Sequence, residues 1–126
     1  MEAYESGVIG MPPDAEPRAL TAHPRGAGIF DARPCTEAHQ YEMFHIATWT
    51  GTGGYPTEDA MVGFVIDECI PAFEAYVGRS FQSSQLDFVH FVPVEAGWEA
   101  GDRVFQCAMF DPAVAELSES LRNTNR

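Results

Sequence analysis

The stretch from Thr57 to Val77 constrains the fold more than any other part of this chain. Met61, Val65, Cys69, Phe73 and Tyr76 return at intervals of four, four, four and three, which is one apolar stripe at helical period. Thr57 is placed as an N-cap behind Pro56, with Glu58 and Asp59 in the first turn, where the helix dipole favours anions. Gly78 follows the last apolar residue and fits the left-handed closing position. Pro71 removes one backbone donor, which predicts a kink or a split near Glu68. The stripe of this helix has to be buried against something, and the flanking segments read as strands.

Glu42 to Thr50 alternates Phe44, Ile46 and Thr48 with Met43, His45, Ala47 and Trp49, and neither face is strongly polar. That pattern suits a strand packed on both sides, ended by Gly51, Gly53 and Gly54. Leu86 to Val92 reads as a second strand stopped by Pro93. Arg103 to Phe110 reads as a third, with Phe105, Cys107 and Met109 on one face, ended by Asp111 and Pro112. Val94 to Gly101 is a turn region around Trp98. The expected fold is therefore α+β, a small antiparallel sheet with one main helix packed across one face. Residues 1–28 read as an extended arm rich in Pro and Gly, with an edge strand near Val8 and Ile9. A short strand follows around Ile29 and Phe30. The domain proper spans residues 29–117, and the polar tail 118–126 is expected to fray.

Length and charge narrow the function. The 126 residues, 45% of them apolar, fit one domain with one core. Nineteen acidic residues face seven arginines and no lysine, a formal net charge of −12. Such a surface repels phosphate backbones and anionic head groups, so nucleic acid is not an expected partner. Cationic partners are weakly favoured. The most apolar run, Met61 to Ile70, is short and carries Asp67 and Glu68, so direct membrane insertion is not expected. Met1 to Gly10 shows no basic and apolar export signal, which predicts either a cytoplasmic protein or removal of an export segment.

Cys35, His39 and Glu42 form a Cys-x3-His-x2-Glu cluster, a spacing that suits zinc ligands. Further ligands would have to come from Cys69, Cys107, His45 or His90, and there is no second paired-ligand motif. No metal or cofactor is therefore assigned. Cys35 with His39 also has the composition of a nucleophile and its base, but the field around a catalytic thiolate should be positive, and here it is negative. Gly51, Thr52, Gly53 and Gly54 lie where glycine-rich loops cradle phosphates, yet the lysine is missing and Glu58 and Asp59 would repel the ligand. No two carboxylates are marked as an acid–base pair, and no catalytic residue is assigned.

Three cysteines leave one unpaired if a disulfide forms. Cys69 lies on the helix stripe and Cys107 shares a strand face with Phe105 and Met109. Packing that helix on that face pairs Cys69 with Cys107 and leaves Cys35 as a free thiol. Pairing of Cys35 with Cys107 or with Cys69 stays open.

From Cys35 onward the chain resembles the actinobacterial septum-formation-related domain. Three segments carry the likeness: Cys35 to Met43, with His39 and Glu42; Cys69 to Gly78, with Phe73 and Tyr76; and Pro93 to Cys107, with Trp98, Gly101, Asp102 and Arg103. Ser120, Leu121 and Arg122 match the family's end. Ala38 stands where the family usually has proline, and Ile9-Gly10-Met11 lacks the cysteine of its opening strand. The resemblance implies that Cys35 is the thiol orphaned by that absence. It implies structural roles for His39, Glu42, Trp98, Gly101, Asp102 and Arg103. It also implies an exported or envelope-associated, non-catalytic interaction module with a protein partner. The alternative is a cysteine-dependent hydrolase or a small metal-binding domain using Cys35 and His39.

Overall fold

The computed structural model describes residues 6–11 and 29–126, with side chains described from Cys35 onward. Among these residues the order is β1 (Ser6–Met11), β2 (Ile29–Pro34), β3 (Tyr41–Thr48), α1 (Glu58–Val77), a 3-10 turn (Phe81–Ser83), β4 (Asp87–Phe91), α2 (Glu95–Glu99) and β5 (Val104–Phe110). The strands form one sheet in the order β2-β1-β3-β5-β4. β3, β5 and β4 pair antiparallel, and α1 packs across one face of them, as the alternation and the helical stripe predict.

The sheet extends beyond that antiparallel half. β1 runs parallel to both β2 and β3, so the whole sheet is mixed. The strand expected at an edge near Val8 and Ile9 is an inner one, with β2 outside it. Periodicity reports which faces of a strand are buried and says nothing of how many neighbours it has. Only two rungs, Ile9 to Tyr41 and Gly10 to Glu42, join β1 to β3. The rest of the expected arm, residues 1–5 and 12–28, lies outside the described residues.

α1 is built as its sequence dictates. The Thr57 hydroxyl accepts the N–H of Ala60 at 3.2 Å, and Gly78, at φ +90°, donates its N–H to the Glu74 carbonyl at 2.9 Å. Met61, Val65, Cys69, Phe73 and Tyr76 are all buried. Of the expected kink or split at Pro71, the split does not occur: the helix runs as one element from Glu58 to Val77. Pro71 and Asp67, whose carbonyl lacks the N–H that Pro71 cannot supply, are both exposed.

Two layers of core flank the sheet. Phe73, Val77, Phe105, Met109 and the Cys69–Cys107 pair lie under α1, while Tyr41, Met43, Val89, Phe91 and Ala108 line the other face. A register shift between Met43 and His45 interrupts strict alternation. Phe44 packs under α1 against Phe73, and His45 reaches Glu68 of the same helix. The expected turn around Trp98 contains the short helix α2, closed by Gly101 at φ +106°.

The tail does not fray. Leu117 exchanges two backbone hydrogen bonds with His39, Asn123 and Asn125 donate to the carbonyls of Tyr76 and Val77, and Arg126 pairs with the buried Asp111. Leu121 is 1% exposed. Its lone apolar side chain and a set of backbone bonds hold a segment whose composition is otherwise that of a solvated end.

Candidate functional site

The register that places Glu42 opposite Met109 turns its carboxylate under the C-terminal half of α1. There it is fully buried and accepts hydrogen bonds from four groups. His39 Nε2 donates at 2.9 Å, the Tyr76 hydroxyl at 2.5 Å and the Ser120 hydroxyl at 2.7 Å. The backbone N–H of Leu121 donates to both oxygens, at 3.0 and 3.1 Å. These donors come from the β2–β3 loop, α1 and the tail. The bridge between His39 and Leu117 fixes the loop and the tail together beside them.

Each ring nitrogen of His39 faces an acceptor. Nδ1 lies 2.7 Å from the Glu37 carbonyl, and Nε2 meets Glu42. The Glu37 carbonyl can only accept, and with Glu42 ionised both ring nitrogens donate, as in an imidazolium. Burial opposes that charge, but the bonds to Glu42 and Glu37 and the charges of Glu42 and Glu116 outweigh it and raise the pKa above its ordinary value. Burial likewise opposes the Glu42 carboxylate, and the bonds from His39, Tyr76, Ser120 and Leu121 hold its pKa below the ordinary one. The result is a buried ion pair with every charge compensated.

Cys35 completes the cluster. Its sulfur, a His39 nitrogen and a Glu42 oxygen lie within 4.8 Å of one another, all buried. This donor set has the composition of a zinc site, but its state does not suit one. The Glu42 oxygens are already engaged by four donors, and a metal would have to displace the protons of Cys35 and His39. Burial first, then the Glu42 charge, pushes the Cys35 thiol up to about 12, so it carries its proton at neutral pH. The same facts oppose a nucleophile, since the thiol is protonated and its neighbouring histidine is turned to Glu42. Burial and the bond to Glu42 also raise the Tyr76 hydroxyl.

The remaining motif residues gather at the other end of the β3–β5 pair, where Thr48 registers with Val104. Asp102 accepts the N–H of Val104 at 3.0 Å. Arg103 donates to the Trp98 carbonyl at 2.7 Å and lays its guanidinium 3.7 Å from the centre of the Trp98 ring. Trp98 is buried and meets Trp49 and Tyr55 edge-on. Gly101 supplies the left-handed turn. Between the two clusters, Cys69 is bonded to Cys107, and Cys35 is free.

Sequence reasoning placed His39 and Glu42 but missed three of their partners. Tyr76 was legible only as an apolar stripe residue, although a buried tyrosine needs a partner for its hydroxyl. Ser120 and Leu121 sit in a tail whose polarity argued against order. The available signals were Leu121, the last apolar residue of the chain, and the likeness of Ser120, Leu121 and Arg122 to the family's end.

A family model described as septum formation matches residues 19–107, and comparison with curated proteins and with solved structures gave no match. The matched region contains Cys35, His39 and Glu42, all of α1, and the segment from Trp98 to Cys107. Because the match spans well over half of the sequence, the chain belongs to the septum-formation family.

Proposed function

We propose that this domain is a non-catalytic interaction module, associated with the cell envelope or the division apparatus of actinobacteria and acting through a partner protein. One observation carries the reading: the reactive-looking cluster of Cys35, His39 and Glu42 is buried, compensated and engaged in holding the tail. Two of the three cysteines are joined, and the third is a protonated core thiol. The family match supports the link to septum formation. Among the described residues no helix is long and apolar enough to cross a membrane, which agrees with a role by association.

The test replaces Cys35 by Ala in cells that depend on the protein for normal septa. Septum placement and photo-crosslinking to the partner should match wild type. A Cys35→Ala chain that keeps its melting temperature but loses septation would instead support thiol chemistry.

A further inference from the structure

α1 buries one face in the core and carries a second apolar row on its flank. Val62, Ile66 and Ile70 follow at intervals of four and lie within about 80° of one another around the helix. They occupy the flank away from Phe64 and Glu68, which meet Trp49 and His45. Ile66 is 50% exposed and Val62 38%, while Ile70 is half-buried. Beside this row runs another at the same intervals, Asp59, Gly63 and Asp67, and both aspartates are exposed. Gly63 lies well inside the helix, where glycine is less stabilising than alanine. No described neighbour requires its small size: a β-carbon at Gly63 would meet no described atom within 4 Å outside the helix backbone. The glycine therefore leaves a hollow on the helix surface, walled by Val62 and Ile66 and closed at each end by an aspartate.

Shape and charge define what fits there. Two parallel rows with a hollow between them admit the ridge of a second helix at close approach. The row from Val62 to Ile70 is about 12 Å long, which matches about two turns of such a helix. α1 contains no Lys, Arg or His, and the chain carries a formal net charge of −12. We propose that Val62, Gly63, Ile66 and Ile70 dock an amphipathic helix of the partner protein. Its apolar residues pack over Gly63 and against the isoleucines, and two Arg or Lys, about seven or eight residues apart, meet Asp59 and Asp67. A second copy of this chain is a poorer occupant, because it brings a further pair of aspartates to the same flank. An anionic lipid surface is repelled by these charges as well.

This inference rests on the reading of the domain as an interaction module. Its test places a photoreactive benzoylphenylalanine at Ala60, an exposed position one turn from Gly63, in the full chain in cells that depend on it for normal septa. The captured peptide is then sequenced. It should be an amphipathic helical segment with Arg or Lys at the stated spacing. Made synthetically, that segment should bind the Gly63→Leu chain about tenfold more weakly than wild type or worse. The melting temperature of Gly63→Leu should hold or rise, since the new side chain displaces no described neighbour. Ile66→Ser, at a site already exposed, is a second variant with the same expected loss of binding. The double variant Asp59→Asn, Asp67→Asn should weaken binding about tenfold and remove most of its salt dependence. Four results overturn the proposal: no adduct from Ala60, an adduct with a second copy or with lipid, a captured segment without basic residues, or equal affinity for wild type and Gly63→Leu. If Ala60 captures nothing while the same probe at the exposed Gln82 captures the partner, only this docking surface falls. If Cys35→Ala abolishes septation at an unchanged melting temperature, the module reading falls independently of the crosslink.

Discussion

The Glu42 carboxylate in β3 accepts the backbone N–H of Leu121, 79 residues further along the chain, on both of its oxygens. The two oxygens also hold His39, Tyr76 and Ser120, so one side chain joins the β2–β3 loop, α1 and the tail.

Replacing Glu42 by Gln should therefore do more than remove one bond. It leaves the His39 imidazolium buried without its counter-charge and forces an amide donor toward the Tyr76, Ser120 and Leu121 donors. Breaking a buried pair in this way costs about 3–5 kcal/mol. Chemical denaturation measures the loss, and amide exchange at Leu121, Asn123 and Asn125 should accelerate together. A loss below about 1 kcal/mol would show that the carboxylate does not anchor the tail.

The pH dependence follows from the two opposite shifts. Glu42 is held below its ordinary value of 4.5, so its stabilisation is present above that value and fades as pH falls through the folded-state pKa. His39 is raised above its ordinary value of 6.5, so its stabilisation is full below 6.5 and fades as pH rises through the folded-state pKa. The contribution of the pair should peak between these two ordinary values. In a His39→Gln variant the decline on the alkaline side should vanish. A wild-type profile that keeps rising through neutral pH by the same amount as the variant's would refute the imidazolium assignment.

Reduction of the Cys69–Cys107 bond releases a loop constraint across a separation of 38 residues, which the chain-entropy relation puts at roughly 4 kcal/mol. The melting temperature should drop on adding dithiol and should drop equally for Cys69→Ser without it. Peptide mapping under non-reducing conditions should yield the Cys69–Cys107 peptide as the main cross-linked species. A main species containing Cys35 would contradict the structure.

Cys35 should react with thiol reagents only on unfolding, because it is buried and its thiol is pushed up to about 12. Metal analysis of the purified chain should find no stoichiometric zinc, since the Glu42 oxygens are already taken by His39, Tyr76, Ser120 and Leu121. Rapid labelling of native protein at neutral pH, or one tightly held zinc per chain, would reverse the account of this cluster.

The antiparallel half of the fold was legible because its signals are local. The period of Met61 to Tyr76, the caps at Thr57 and Gly78, and the alternation in Phe105 to Met109 each report on neighbours a few residues away. The same signals put Cys69 and Cys107 on facing surfaces. What stayed illegible depends on distant partners. Val8 and Ile9 look the same in sequence whether one strand or two lie beside them. Ser120 and Leu121 are ordered by a carboxylate 78 and 79 residues earlier, which no periodicity in the tail encodes. Pro71 does not split the helix: burial of Met61, Val65, Cys69, Phe73, Tyr76 and Val77 on one face holds both halves to the sheet.

The two-rung contact between β1 and β3 also has a mechanical meaning. Six registered positions tie β1 to β2, and the antiparallel strands are tied to one another and stapled to α1 by the disulfide, so the sheet contains a weak seam between two stronger pieces. Under pulling or mild denaturant that seam should part first, with β1 and β2 leaving as a unit and the cross-linked kernel of α1, β3, β4 and β5 remaining intact.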